Sequence, residues 1–344
     1  MRLRLNGFQD SLRKINNLRI FSGKSPAACY RTPVVNVAAI VCKSRFAAVL
    51  LSAIVAAPAG AAEPAKSSEL TAPAIDPKIL KLLSGTPSRT DAIPAIRLAN
   101  ISTRLAVGSG DNVLIAGFTV TGSQPKKILI RALGPFLPVS ENLADPTLEL
   151  HDASGTIAAN DNWRDSQEAE LKATTIPPSN DYDSAIVKTL NPGAYTAILA
   201  GKGGTTGVGL VEVYDLDSTV DSKLVNIATR GFVDIGDNVL IAGTIVIGNG
   251  TTTVLFRALG PSVPVPNAVQ DPTLELHDGQ GVTIATNDNW QDTQRDAIIQ
   301  TTLPPSDPRE SAILRDLAPG AYTAVVRGKN NGTGVALVEA YQLK

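Results

Sequence analysis

The chain is poor in the residues that most active-site chemistry needs. Its 344 residues hold two Cys, two His, two Trp and one Met, with 4% aromatic and 18% charged residues. A redox dithiol needs a placed cysteine pair, and a structural zinc site needs a Cys/His cluster. Counts this low argue against both, and against a haem mount. The chain also lacks the charge of a disordered polymer. Hydrophobic residues make up 43% and the formal net charge is −1, a composition that can bury a core. The length suits about two domains at roughly 150 residues each.

The small net charge is an average of unlike parts. Residues 1–62 hold nine Lys/Arg against the single acid Asp10, and both cysteines, Cys29 and Cys42. The remaining 282 residues hold 22 bases and 31 acids, a net of −9. Lys43-Ser44-Arg45 precedes a 12-residue apolar run, Phe46 to Ala57, and Ala59-Gly60-Ala61 follows it. Basic segment, apolar run and small-residue cleavage site are in the order of a secretory signal peptide. Twelve apolar residues are too few to span ~30 Å of hydrocarbon, so no stable membrane span is expected after cleavage. A basic stretch of 45 residues is long for such a signal, and translation is expected to start nearer Val41. Residues 63–96, with Pro73, Pro77, Pro87 and Pro94, read as a Pro/Ala/Ser-rich linker. The localisation expected is periplasmic or extracellular.

The rest is one unit written twice. Leu98-Ala-Asn-Ile-Ser-Thr-Arg104 returns as Leu224-Val-Asn-Ile-Ala-Thr-Arg230. Gly110-Asp-Asn-Val-Leu-Ile-Ala-Gly117 returns unchanged at 236–243, and Asp145-Pro-Thr-Leu-Glu-Leu-His-Asp152 at 271–278. The offset is 126 up to this point. It is 127 for Asn160-Asp-Asn-Trp163 and Pro192-Gly-Ala-Tyr-Thr-Ala197, because one residue is added near Gly279-Gln280-Gly281. Repeats of this size exceed solenoid units, and two tandem domains are expected, 97–217 and 218–344. Short alternating or β-branched runs predict eight strands in the first copy: 101–106, 113–120, 128–133, 147–152, 156–159, 185–190, 195–200 and 208–214. Only 167–172 and 293–299 suggest a helical turn. The fold class is all-β, two jelly-roll-like β-sandwiches after the signal and linker.

The spans Asp145-Pro-Thr-Leu-Glu-Leu-His-Asp-Ala-Ser-Gly155, Asn160-Asp-Asn162, Pro192-Gly-Ala-Tyr-Thr196 and Gly207-Val-Gly-Leu-Val-Glu-Val-Tyr214 carry a family likeness, repeated in the second copy. Over about the latter two-thirds of each repeat the chain resembles the bacterial pre-peptidase C-terminal β-sandwich domain. That resemblance implies an exported, non-catalytic accessory module, in some members binding calcium or a polymeric substrate.

Candidate chemistry is sparse. Glu149 and His151 share one strand face and could form an acid–base pair, which a hydrolase would need in a cleft. Arg131 and Arg257 stand in apolar strands, so a carboxylate partner is expected for each: Glu149 or Glu212 for Arg131, and Glu275 or Glu339 for Arg257. Asn160, Asp161 and Asp165, with Asn287, Asp288 and Asp292, cluster oxygens of the kind calcium takes, but without EF-hand spacing. Asp/Asn clusters also simply make turns. Trp163 and Trp290 are candidate stacking platforms, with Lys202 and Lys329 on a neighbouring loop, although a Trp closing the end of a sandwich core is the commoner fate. Gly201-Lys-Gly-Gly-Thr205 lies between strands and lacks the Walker spacing. A net of −9 repels phosphates, so no nucleic-acid partner is expected. The reading is a non-catalytic tandem module that binds an extracellular polysaccharide or protein. The alternative is a purely structural envelope or matrix component.

Overall fold

The computed structural model describes residues 96–343 apart from Asp237. The signal segment at 1–62 and all of the linker before Ile96 lie outside the described residues. The first repeat contains β1 (Arg97–Val107), β2 (Leu114–Thr121), β3 (Lys126–Leu133), β4 (Pro146–Asp152), β5 (Gly155–Asn160), α1 (Glu168–Ala173), β6 (Ser184–Leu190), β7 (Gly193–Gly201) and β8 (Gly207–Asp215). The second contains β9 (Lys223–Val233), β10 (Leu240–Ile247), β11 (Thr252–Leu259), β12 (Pro272–Asp278), β13 (Thr283–Asn287), α2 (Arg295–Gln300), β14 (Ser311–Leu317), β15 (Gly320–Gly328) and β16 (Gly334–Gln342). The fold is all-β and mostly antiparallel. Each expected strand is present, and each short helix falls within two residues of its expected start.

In the first repeat β6-β3-β8-β1 and β5-β4-β7-β2 form two ladders. Their alternating inward residues, such as Ile128, Ile130, Leu148, Leu150 and Val211, make one core. The ladders do not stop at the repeat boundary. β1 pairs antiparallel with β10, and β2 pairs antiparallel with β9. Each sheet therefore runs through both repeats, and four open edges are paired instead of facing solvent.

The two first strands cross at the centre. β1 and β9 run parallel and touch at Leu98–Leu224 and Ala106–Phe232. Thr103 and Thr229, the same position of each repeat, share a 2.8 Å hydrogen bond between buried hydroxyls. Contact between equivalent residues is the mark of a two-fold arrangement, here built inside one chain. Because β1 and β9 are parallel, both repeats turn their long loops to the same end of the molecule.

The outer strand β6 is also guarded. Gln167 accepts from the Val187 N–H at 3.1 Å and donates to the Val187 carbonyl at 2.8 Å. Its amide stands in for the next strand. Gln294 does the same on Leu314 of β14. Gln167→Ala is expected to cost about 1–2 kcal/mol in urea denaturation. Gln167→Ala with Gln294→Ala is expected to raise concentration-dependent light scattering, because two strand edges are then bare.

Candidate functional site

The sheet formed by β3, β6 and β8 carries apolar residues on both faces. Leu129, Ala185, Val187 and Tyr214 point away from the main core. The excursion between β5 and β6 folds over them as a cover, placing Trp163, Leu171 and Ile176 on that outer face. Arg131 lies beneath it. Register puts Arg131 opposite Glu212, and its Nε donates to Glu212 Oε2 at 2.9 Å. Nη1 donates to the Ile176 carbonyl at 2.9 Å and Nη2 to the Tyr214 hydroxyl at 3.0 Å. The Tyr214 hydroxyl donates to the other oxygen, Glu212 Oε1, at 2.8 Å. Burial, and then the Glu212 charge, push the phenol's pKa up, so it stays a donor. Arg257, Glu339 and Tyr341 repeat the cluster.

The arginine partners are therefore Glu212 and Glu339. Glu149 and Glu275 are not the partners: they sit on β4 and β12, in the opposite sheet, and contact histidines instead. Glu149 Oε2 lies 2.8 Å from His151 Nε2, with Thr156 Oγ1 3.3 Å from His151 Nδ1. Glu275, His277 and Thr283 match this arrangement. The structure brings these groups together on an exposed strand face, with the Glu149 side chain 53% exposed.

Trp163 and Trp290 are core residues, and they are not stacking platforms. They are 2% and 6% exposed, and each indole N–H donates to a carbonyl, of Asn180 at 3.0 Å and Asp307 at 3.1 Å. A large apolar ring with one satisfied N–H is more stable under the cover than in water. Lys202 and Lys329 are exposed and pair with the chain's own carboxylates. Lys202 Nζ is 2.7 Å from Asp161 and 3.6 Å from Asp145. Lys329 is 2.6 Å from Asp288 and 3.6 Å from Asp271. The Asp161 hydrogen bond raises the Lys202 pKa.

The oxygens expected to gather around calcium are mostly spent on internal bonds. Asn160 accepts from the Ala185 N–H at 2.9 Å and donates to the Asn162 carbonyl at 2.9 Å, and Asn287 repeats both. Asp165 accepts from Asn162 at 3.0 Å, and Asp292 from Asn289 at 3.1 Å. Asp161 and Asp288 hold the lysines, so the cation between each carboxylate pair is an ammonium of the chain. One oxygen each of Asp145, Asp161, Asp271 and Asp288 is buried without a protein partner. Among the described residues no group of three or more Asp, Glu, His or Cys is gathered as a metal ligand set.

The long-loop end of the first repeat presents different side chains. Phe136 and Tyr182 are 67% and 59% exposed. Their loops are tied together, because Asp183 accepts from the Gly134 N–H at 3.0 Å. Burial raises the Asp183 pKa. Asn142 folds the first loop back by donating to the Pro135 carbonyl at 2.8 Å. The second repeat keeps this scaffold, with Glu310 accepting from Gly260 at 3.1 Å. It carries Ser262 and Arg309 where the first has Phe136 and Tyr182. The strand and turn patterns gave these aromatics no weight; setting the two repeats side by side reveals them.

No family model and no curated protein matches the chain. Among solved structures, the Sulfolobus Turreted Icosahedral Virus structure is similar at 11% identity over 72% of this chain and 91% of that chain, TM-score 0.21. Tandem CBM51 modules of a family 98 glycoside hydrolase from Streptococcus pneumoniae match at 10% identity over 70% and 83%, TM-score 0.19. A DUF4785 family protein from Legionella pneumophila matches at 8% identity over 74% and 88%, TM-score 0.20. No helix among the described residues is long and apolar enough to cross a membrane.

Proposed function

We propose that the protein is an exported, non-catalytic module that holds an extracellular polymer at the long-loop end of its first repeat. The observation that carries this reading is the exposed pair Phe136 and Tyr182. The second repeat is a built-in control: with Ser262 and Arg309 at the same places it keeps the same strands and the same loop tie. The fold therefore does not need the aromatics. Large rings left in water on tied loops suit the apolar face of a polymer unit. The long linker and secretion signal expected before the first strand fit a module displayed outside the cell.

The test is retention of the purified exported chain on insoluble polysaccharides, with Phe136→Ser/Tyr182→Arg as the comparison. Both replacements copy the second repeat, so melting is expected to be unchanged while retention falls at least about tenfold. Equal retention by the variant, or no retention by the parent on any polymer, defeats the proposal. The latter outcome favours a purely structural envelope component.

A further inference from the structure

A second feature of the same end belongs to both repeats at once. Where β1 and β9 finish, a cavity of about 620 Å³ opens between them, within the roughly 300–1,000 Å³ usual for small-molecule sites. Asn112 of the first repeat and Asn238 of the second, equivalent positions, both line it, with Phe232, Thr206, Val208 and Glu141. Glu141 is the charged residue among these.

Glu141 stands in a backbone conformation that does not suit it. Its φ is 61°, and its counterpart Asn267 has φ 58°. Asparagine tolerates the left-handed region far better than glutamate. The conformation is imposed on both by the same clamp. Val208 N–H donates to the Glu141 carbonyl at 2.7 Å and Leu143 N–H to the Val208 carbonyl at 2.9 Å, and Val335, Asn267 and Val269 repeat this. One repeat thus carries the residue that fits the turn. The other carries a strained, exposed glutamate that lines the cavity. Strain kept at one of two equivalent positions points to use of the side chain.

We infer that this cavity is a subsite for an amine-bearing saccharide unit, a glucosamine-type residue of the polymer proposed above. Glu141 is the acidic residue of the cavity lining, and a carboxylate attracts an ammonium. Paired amides and a hydroxyl match ring hydroxyls, and the Phe232 ring offers an apolar wall. The inference rests on the polymer reading for its ligand class, while its residues differ from Phe136 and Tyr182.

The test is isothermal titration calorimetry of the exported chain with short glucosamine oligomers, their N-acetylated forms, nitrogen-free cello-oligomers and oligolysine. Glucosamine oligomers are expected to bind at least about tenfold more tightly than the other three. Glu141→Asn, which copies the second repeat, is expected to raise the melting temperature by about 2 °C or more and to weaken glucosamine binding at least about tenfold. Phe136→Ser/Tyr182→Arg is expected to leave this short-oligomer binding intact, which separates failure here from failure of the polymer reading. Glucosamine binding unchanged in Glu141→Asn, equal binding of N-acetylated oligomers, or equal binding of oligolysine would each overturn the subsite.

Discussion

Arg257→Met is expected to destabilise the protein by about 3–5 kcal/mol, read as a lower urea midpoint. Glu339 has no exposed side-chain surface. It receives Arg257 Nε at 2.9 Å and the Tyr341 hydroxyl at 2.7 Å. Removing the guanidinium leaves a carboxylate out of water with one neutral donor, and desolvation then exceeds what remains to stabilise it. Arg257→Met/Glu339→Leu/Tyr341→Phe removes the three polar side chains of the cluster and leaves only the Leu303 carbonyl without its donor, and is expected to recover most of the loss. The same truncation at Arg131 is expected to cost less, because Arg131 and Glu212 keep 11% and 12% exposure and water relieves part of the penalty. Triple and single Arg257 variants of equal stability would show that the charge left behind is not the cause.

Gly231→Leu is expected to cost about 3 kcal/mol or more, and Leu105→Gly is expected to restore much of it. Leu105 and Gly231 are the same position of the two repeats and face each other across the crossing of β1 and β9. A Cβ on Gly231 would lie 2.4 Å from Leu105 Cδ2 and 2.7 Å from Cδ1. One leucine fills this space and two do not fit. Leu105→Gly alone opens a cavity and is expected to cost about 3–5 kcal/mol. With both changes the leucine reaches into the same space from the other side of the two-fold arrangement. A double variant no more stable than Gly231→Leu would mean that the two sides of the crossing are not interchangeable.

These two cases differ in how far the sequence announced them. Arg131 in Ile-Leu-Ile-Arg-Ala-Leu needs a carboxylate wherever it lies, so the need for a pair was legible. The choice between Glu149 and Glu212 was not, because alternation within a strand says nothing about which strand lies beside it. The β3–β8 register decides it. The Asn-Asp-Asn-Trp motif is similar. Its amides and carboxylates suit a cation equally well on composition alone. Only the cover between β5 and β6 shows Asn160 closing a strand edge, Trp163 filling an outer core and Lys202 already between the acids.

The amino-acid sequence by itself determined the class of fold, the twofold repetition, the eight strands of each copy and the scarcity of reactive side chains. All of these are read from residue identities alone: alternation and turn chemistry over a few neighbours, and self-similarity and count over the whole chain. Tertiary structure alone decided that the sheets run through both repeats, that one leucine serves two equivalent positions, and that a cavity forms where the two first strands end. Those features join residues about 126 positions apart, and hydrogen-bond register and side-chain volume at such separations leave no local pattern.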